Sequence, residues 1–135
     1  MARIVIAERD GQLAQRLRDR LQEDGHSVDI FDETARLATA LAHSLPDLLV
    51  LGDRDHGRSA PEIVRTLNRD ANTARIAIVV IAGDSDRDAM VEALKAGAAD
   101  WVSKPLMPAE LAWRVNALLD RTVPSAATPR PSTFA

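Results

Sequence analysis

A chain of 135 residues has room for one hydrophobic core and a short appendage, not for two cores. Hydrophobic residues at 46% and charged residues at 27% are in the proportions of an ordinary globular domain, and aromatics at only 3% leave the core to Leu, Ile, Val and Ala. The net charge of -3 offers no basic footprint for nucleic acid, and the absence of cysteine excludes disulfides and thiolate metal sites.

The chain begins Met1-Ala2-Arg3 and enters directly a short continuous apolar run, Ile4-Val5-Ile6-Ala7. Continuous rather than alternating apolar residues predict a strand buried on both faces. Leu13, Leu17 and Leu21, four apart with charged residues between them, predict a helix that stops at Gly25. Val28 and Ile30 alternate with polar neighbours, as in a strand near a sheet edge. A helix through Leu37, Ala38 and Leu41 follows, and Pro46 separates it from the third strand, Leu48-Leu49-Val50-Leu51. Residues 52–60 read as a polar loop. They lead into a helix with Pro61 in its first turn and Ile63, Val64 and Leu67 on its apolar side. Ile76 to Ala82, the most apolar stretch, predicts the fourth strand. Asp84 or Ser85 is placed to cap a helix running through Met90 and Leu94 to Gly97. Trp101-Val102-Ser103 predicts a short fifth strand. The last helix starts near Pro108 and sets Leu111, Val115 and Leu118 on one face.

Strict strand–helix alternation implies parallel strands joined by right-handed crossovers, with helices on both faces of the sheet. One domain is expected over residues 1–121. Residues 122–135 carry Pro124, Pro129 and Pro131 among Ser, Thr and Ala, and are expected to be a tail or linker without fixed structure. The start of the chain lacks the apolar region and cleavage site of a secretory leader, and no apolar run reaches the roughly 18 residues of a membrane span. A cytoplasmic protein with no membrane partner is therefore expected.

His26, His43 and His56 lack metal-ligand spacing, so no metal site is expected from them. Asp53-Arg54-Asp55-His56-Gly57 has a metal-like composition that a turn-forming polar loop explains better. No nucleophile–base pairing or glycine-rich phosphate loop stands out, so an independent enzyme is not expected. No helix-turn-helix comes after the last helix, and with the net charge this sets the expectation of no nucleic-acid partner.

The segment Ala93-Leu94-Lys95-Ala96-Gly97-Ala98-Ala99-Asp100-Trp101-Val102-Ser103-Lys104-Pro105 closely resembles the pattern A-L-x-A-G-A-x-D-Y-x-x-K-P of response-regulator receiver domains. Ile4-Val5-Ile6-Ala7-Glu8, with Leu13, Leu17, Leu21 and Gly25-His26 behind it, fits that family without a gap, as does Pro46-Asp47-Leu48-Leu49-Val50-Leu51. The resemblance covers residue 3 to about 121. It implies a flavodoxin-like (βα)5 domain, a doubly wound parallel sheet of strand order 2-1-3-4-5, with the site at the carboxyl ends of the strands.

A working receiver carries a phospho-acceptor Asp after strand three, an acidic pair after strand one that holds Mg2+, a Thr or Ser after strand four and a Lys before Pro. Read through that resemblance, Glu8 takes the first acidic position, while Arg9 takes the second, where a guanidinium repels a cation. Asp10 is acidic but lies beyond the pair. Gly52 falls on the acceptor position and Ala82 on the hydroxyl position; Lys104-Pro105 is intact, with an X-Pro bond that is often cis in the family. The pocket formed by Glu8, Arg9, Asp10, Gly52, Asp53, Ala82 and Lys104 is thus expected to be degenerate.

Two readings stand beside each other for several of these residues. Arg9 is either a built-in cation paired with Glu8, Asp10 or Asp53, or a solvated side chain. Asp53 is either a displaced acceptor or a local loop carboxylate, and strand alternation aims it away from the direction of residue 52. Lys104 is expected to bond Glu8 or Asp53 across the pocket. Trp101 takes the family's switching aromatic position and is expected to be fixed. Trp113, about 200° around its helix from Leu111, is expected off the core face as an interface anchor, like Trp101 a candidate contact residue.

The function these readings lead to is a phosphorylation-independent receiver acting as a protein-interaction module. Its partner would be a second copy or another protein, engaged through the face of the fourth helix, fifth strand and fifth helix, with no cofactor. One alternative is a phosphorelay regulator phosphorylated on Asp53, with Mg2+ held by Glu8, Asp10 and Asp53. The other is the N-terminal dimerisation or regulatory domain of a longer signalling protein.

Overall fold

The computed structural model describes residues 1–31, 37, 40, 41, 43–55, 58–83 and 87–122. Ala38, His56, Gly57, the capping candidates Asp84 and Ser85, and the segment 123–135 lie outside the described residues. In chain order the elements are β1 (Arg3–Ala7), α1 (Gly11–Glu23), β2 (Ser27–Phe31), β3 (Leu48–Gly52), β4 (Arg54–Asp55), β5 (Arg58–Ser59), α2 (Ala60–Arg69), β6 (Ala77–Ala82), α3 (Arg87–Ala96), β7 (Asp100–Ser103) and α4 (Pro108–Thr122). Leu37, Ala40, Leu41 and His43 are also helical, in the connection between β2 and β3.

Five parallel strands form one sheet in the order β2-β1-β3-β6-β7, the expected 2-1-3-4-5 when the strands of this sheet alone are counted. The apolar runs split by the pleat. Ile4, Ile6, Leu48, Val50, Val79 and Ile81 face one side, under α1 and α4, and meet Leu13, Leu17, Leu21, Leu111, Ala112 and Val115. Val5, Ala7, Leu49, Leu51, Ile78 and Val80 face the other, and meet Leu37, Leu41, Ile63, Val64, Leu67 and Ala93. Side chains alternate along a strand, so a sheet covered on both faces needs apolar residues at every position, and that is why these strands read as continuous runs. Each fully buried Leu or Ile contributes about 2 kcal/mol on leaving water. An exposed ion pair such as Arg3–Asp29 contributes less than about 1 kcal/mol, so the aliphatic rows dominate.

Local signals fix the helix ends. The Asp10 carboxylate caps α1 by accepting from Gln12 N–H and Leu13 N–H. At the other end Gly25 N–H donates to Gln22 O and His26 N–H to Leu21 O, a pattern that needs the left-handed φ of +91° at Gly25. Ser59 and Glu62 form a reciprocal capping box at α2, with Pro61 in the first turn. The stretch 52–60, expected to be all loop, instead closes a small antiparallel bridge between β4 and β5 that delivers Ser59 to its cap.

α3 ends at Ala96 with Gly97 just beyond it, as expected. Its buried residue is Ala93, and Leu94 is 42% exposed. The helix approaches α2 closely through small residues: a Cβ on Gly97 would come within 2.9 Å of Asn68 Cγ, which leaves no room for a leucine on that side. α4 continues to Thr122, one residue into the segment expected to be tail.

Candidate functional site

Parallel register brings four strand ends to one edge of the sheet. Ala7 pairs with Leu51, Gly52 with Ile81, and Ala82 with Ser103. The residues just beyond these ends, Glu8 to Asp10, Asp53, Gly83 and Lys104, therefore converge. Lys104 N–H extends the ladder by donating to Ala82 O at 2.6 Å, and the Lys104-Pro105 bond is cis.

Glu8 turns inward and is 5% exposed. Its Oε2 accepts from Asp10 N–H at 2.8 Å, and its Oε1 lies 3.1 Å from Lys104 Nζ, on a side chain that is 25% exposed. The approach of Nζ is too oblique for a hydrogen bond, so Oε1 is a buried oxygen held by charge alone. Such a pair is screened less than a surface pair, and losing the lysine would strand the buried carboxylate.

Position 52 is shaped by the same carboxylate. A Cβ built on Gly52 would lie 2.9 Å from Glu8 Oε1, 3.3 Å from Ala7 O and 3.4 Å from Glu8 Cδ. Ala82 presents a buried methyl where a working receiver has its hydroxyl. The lysine stem passes beside Gly83, with Lys104 Cδ 3.9 Å from where a Cβ at 83 would be, an ordinary contact distance.

The remaining candidates separate. Arg9 is exposed and makes no ion pair among the described residues, which corrects the reading of it as a cation built into the pocket. The reason is that Glu8 faces inward and the Asp10 carboxylate is engaged by two helix amides, so neither offers it a partner. The cation in the pocket is Lys104. Asp53 does not swing away from the strand ends: its Oδ2 accepts from Gly83 N–H at 3.3 Å, and its carbonyl from Ala60 N–H.

These partners bear on Mg2+. Glu8 is bound to a lysine, Asp10 to the start of α1, and Asp53 to Gly83, so the three carboxylates named for the ion serve three different groups. No cluster of three or more acidic or histidine side chains suited to a metal occurs among the described residues.

Trp101 is half-buried against the second core layer, and its N–H is held by Asp100 Oδ1 at 2.7 Å. Asp100 in turn binds Arg114 at 3.0 Å, which raises the guanidinium pKa further. Trp113 stands 73% exposed, off the core face as its helical position predicted.

Two features escaped the sequence. The contact between Glu8 and the space at Gly52 depends on a rotamer, although a Glu, longer by a methylene than Asp, was the available hint. The other is a chain of hydrogen bonds from Ala2 N–H to His26 Nδ1, from Nε2 to Asn116 Oδ1, and from Asn116 Nδ2 to Asp24 Oδ2. Its directly bonded partners lie up to 92 residues apart, and no local pattern marks them.

The same strand-end arrangement belongs to a known family. A family model described as response regulator receiver domain matches residues 4–116. The phosphate regulon transcriptional regulatory protein PhoB of Rhizobium meliloti is 32% identical over 92% of the chain and 55% of its own length. The DNA-binding response regulator MtrA of Mycobacterium tuberculosis is 30% identical over 88% of the chain and 51% of its own length. The chain thus spans about half the length of the curated relatives it matches. A crystal structure of a two-component response regulator from Clostridium difficile shares the fold, with a TM-score of 0.82 at 23% identity over 90% of this chain and 98% of that one.

These relatives correct one expectation. Exclusion of nucleic acid rested on net charge and on the lack of a helix-turn-helix within this chain, yet MtrA is named as DNA-binding. Because the chain matches only half of such relatives, the lack of a DNA-reading motif within it does not exclude that partner. No described helix is long and apolar enough to cross a membrane.

Proposed function

This chain belongs to the response regulator receiver family, and from that premise we propose that it is a signalling module whose interactions do not depend on phosphate at the usual position. The observation that carries the reading is the pocket centre. Residue 52 has no nucleophile, and the space beside it is filled by a carboxylate already paired with Lys104. Arg9 and Ala82 add the loss of a metal ligand and of a hydroxyl. Against Asp53 as a substitute acceptor stands its engagement by Gly83 N–H. Signalling then passes through the protein's surface, with exposed Trp113 as the anchor: a large amphipathic ring loses little entropy when it is buried by a partner.

Incubation with acetyl phosphate and Mg2+, followed by intact-mass measurement, tests this. The mass is expected to stay that of the unmodified chain. A stoichiometric phospho-adduct would sink the reading, and an adduct lost in Asp53→Asn would establish the phosphorelay alternative instead.

The relatives' names favour a second reading, that the domain is the regulatory half of a DNA-binding regulator; it would act by dimerising through the exposed Trp113. Light scattering on the chain and on Trp113→Ala decides it. A two-chain mass that falls to one in the variant supports it, and a single-chain mass in both rejects it.

A further inference from the structure

Gly52 ends a strand in which every residue is buried. A glycine there forfeits packing and adds backbone entropy to the unfolded chain, so it calls for a compensating role. Conformation does not supply one. Among the described glycines, Gly25 and Gly97 have positive φ; Gly52 does not, so its backbone is open to any residue. What glycine alone provides at 52 is space, and Glu8 uses that space. A Cβ at 52 would approach Glu8 Oε1 to 2.9 Å, closer than real side-chain carbons come, and would also crowd Ala7 O at 3.3 Å. Glu8 has little freedom to retreat. Its Oε2 is fixed by Asp10 N–H at 2.8 Å, and its Oε1, without a hydrogen bond, is held by Lys104 Nζ at 3.1 Å.

We propose that Glu8 is the positioning residue of this pocket: its carboxylate stands in the space left open at Gly52 and holds Lys104 there as an internal anion. The inference rests on the phosphate-independent reading and gives it a physical cause. The lysine is supplied with negative charge from β1, so it needs none carried on β3 or bound from solution. A Cβ at 52 would force Glu8 Oε1 to shift from its place beside Lys104, which makes positions 8 and 52 a coupled pair.

The coupling is measurable. Gly52→Ala is introduced into the wild-type chain, into Glu8→Gln, which keeps the volume but not the charge, and into Glu8→Ala, which removes both. Urea midpoints are then compared. The alanine at 52 is expected to lower the midpoint in the wild type and in Glu8→Gln, and to lower it clearly less in Glu8→Ala, where only the contact with Ala7 O remains. Equal shifts in all three backgrounds overturn the proposal. Should Glu8→Ala fail to fold with its lysine unpaired, Glu8→Ala/Lys104→Met carries the same comparison.

The Lys104 half has its own readout, the ammonium resonance of Lys104 in a proton–nitrogen correlation spectrum. That signal is expected in the wild type and lost in Glu8→Gln. Its persistence unchanged in Glu8→Gln overturns the positioning role. The two readings fail separately. A phospho-adduct on the wild-type chain with the coupling intact removes the functional reading alone. Additive penalties in a chain that takes no phosphate remove this one alone.

Discussion

Lys104 and Glu8 form a pair of unequal burial, and the inequality decides what each substitution does. Removing the lysine leaves a carboxylate that is 5% exposed without its cation, while the lysine itself still reaches water. Lys104→Met should therefore destabilise by about 2 kcal/mol, mostly from the stranded carboxylate. Glu8→Gln/Lys104→Met should recover part of that loss, as urea denaturation of the wild type and the two variants would show. A double variant no more stable than Lys104→Met would mean that the cost is lost packing of the lysine stem. Trp113 lies at the other extreme. Its ring is 73% exposed, so Trp113→Ala should change stability by less than about 0.5 kcal/mol, and any larger drop would place the ring in an intramolecular contact. The identities at 9, 52, 82 and 104 were legible because register fixes position. The directions of Glu8 and Asp53 were not: a Glu at a strand end has several rotamers, and only the neighbours in space select one.

Helix ends carry the next level of specification. The Ser59–Glu62 box satisfies two backbone amides at the start of α2, so Ser59→Ala should cost about 1 kcal/mol in urea denaturation. Gly25 ends α1 at a φ of +91°, and Gly25→Ala should cost about 1 kcal/mol from strain alone, because nothing lies within 4 Å of an added Cβ. These stops and the continuous apolar strands could be read from residue type, since both depend on contacts a few positions away. The box was also written in the sequence as S-x-x-E, but the polar composition of 52–60 concealed it. The orientation of α3 could not be read in that way. Met90 and Leu94 fit a helical stripe as well as Ala93 does, and the choice was made by the approach of α2 to Gly97, a contact between segments.

Across the whole molecule, one polar chain ties together elements that the sheet leaves apart. Because Ala2 N–H donates to His26 Nδ1, the imidazole carries its proton on Nε2 and donates to Asn116 on α4. Asn116 in turn donates to Asp24 at the end of α1, where Arg20 also binds at 2.9 Å. The Arg20 guanidinium, and after it the Asn116 amide, hold the Asp24 carboxyl below its ordinary value. A carboxyl whose folded pKa is depressed adds stability above the ordinary carboxylate range, near about pH 4, and that stability is lost as pH falls through the lowered folded value. Acid therefore loosens the joint between α1 and α4 by protonating its last acceptor. Asp24→Asn, which abolishes the titration, should lower the urea midpoint at neutral pH. It should also flatten the fall in midpoint below about pH 4, where the carboxyl titrates. Asn116→Ala should do the same more weakly, since it removes the second-ranked partner and leaves Arg20 in place. Profiles for wild type and Asp24→Asn that run parallel through the acid limb, below about pH 4, would show that Asp24 draws no net stability from this network. The hydrogen bonds that join the N-terminal strand, the end of α1 and α4 would then fix orientation without contributing to acid sensitivity.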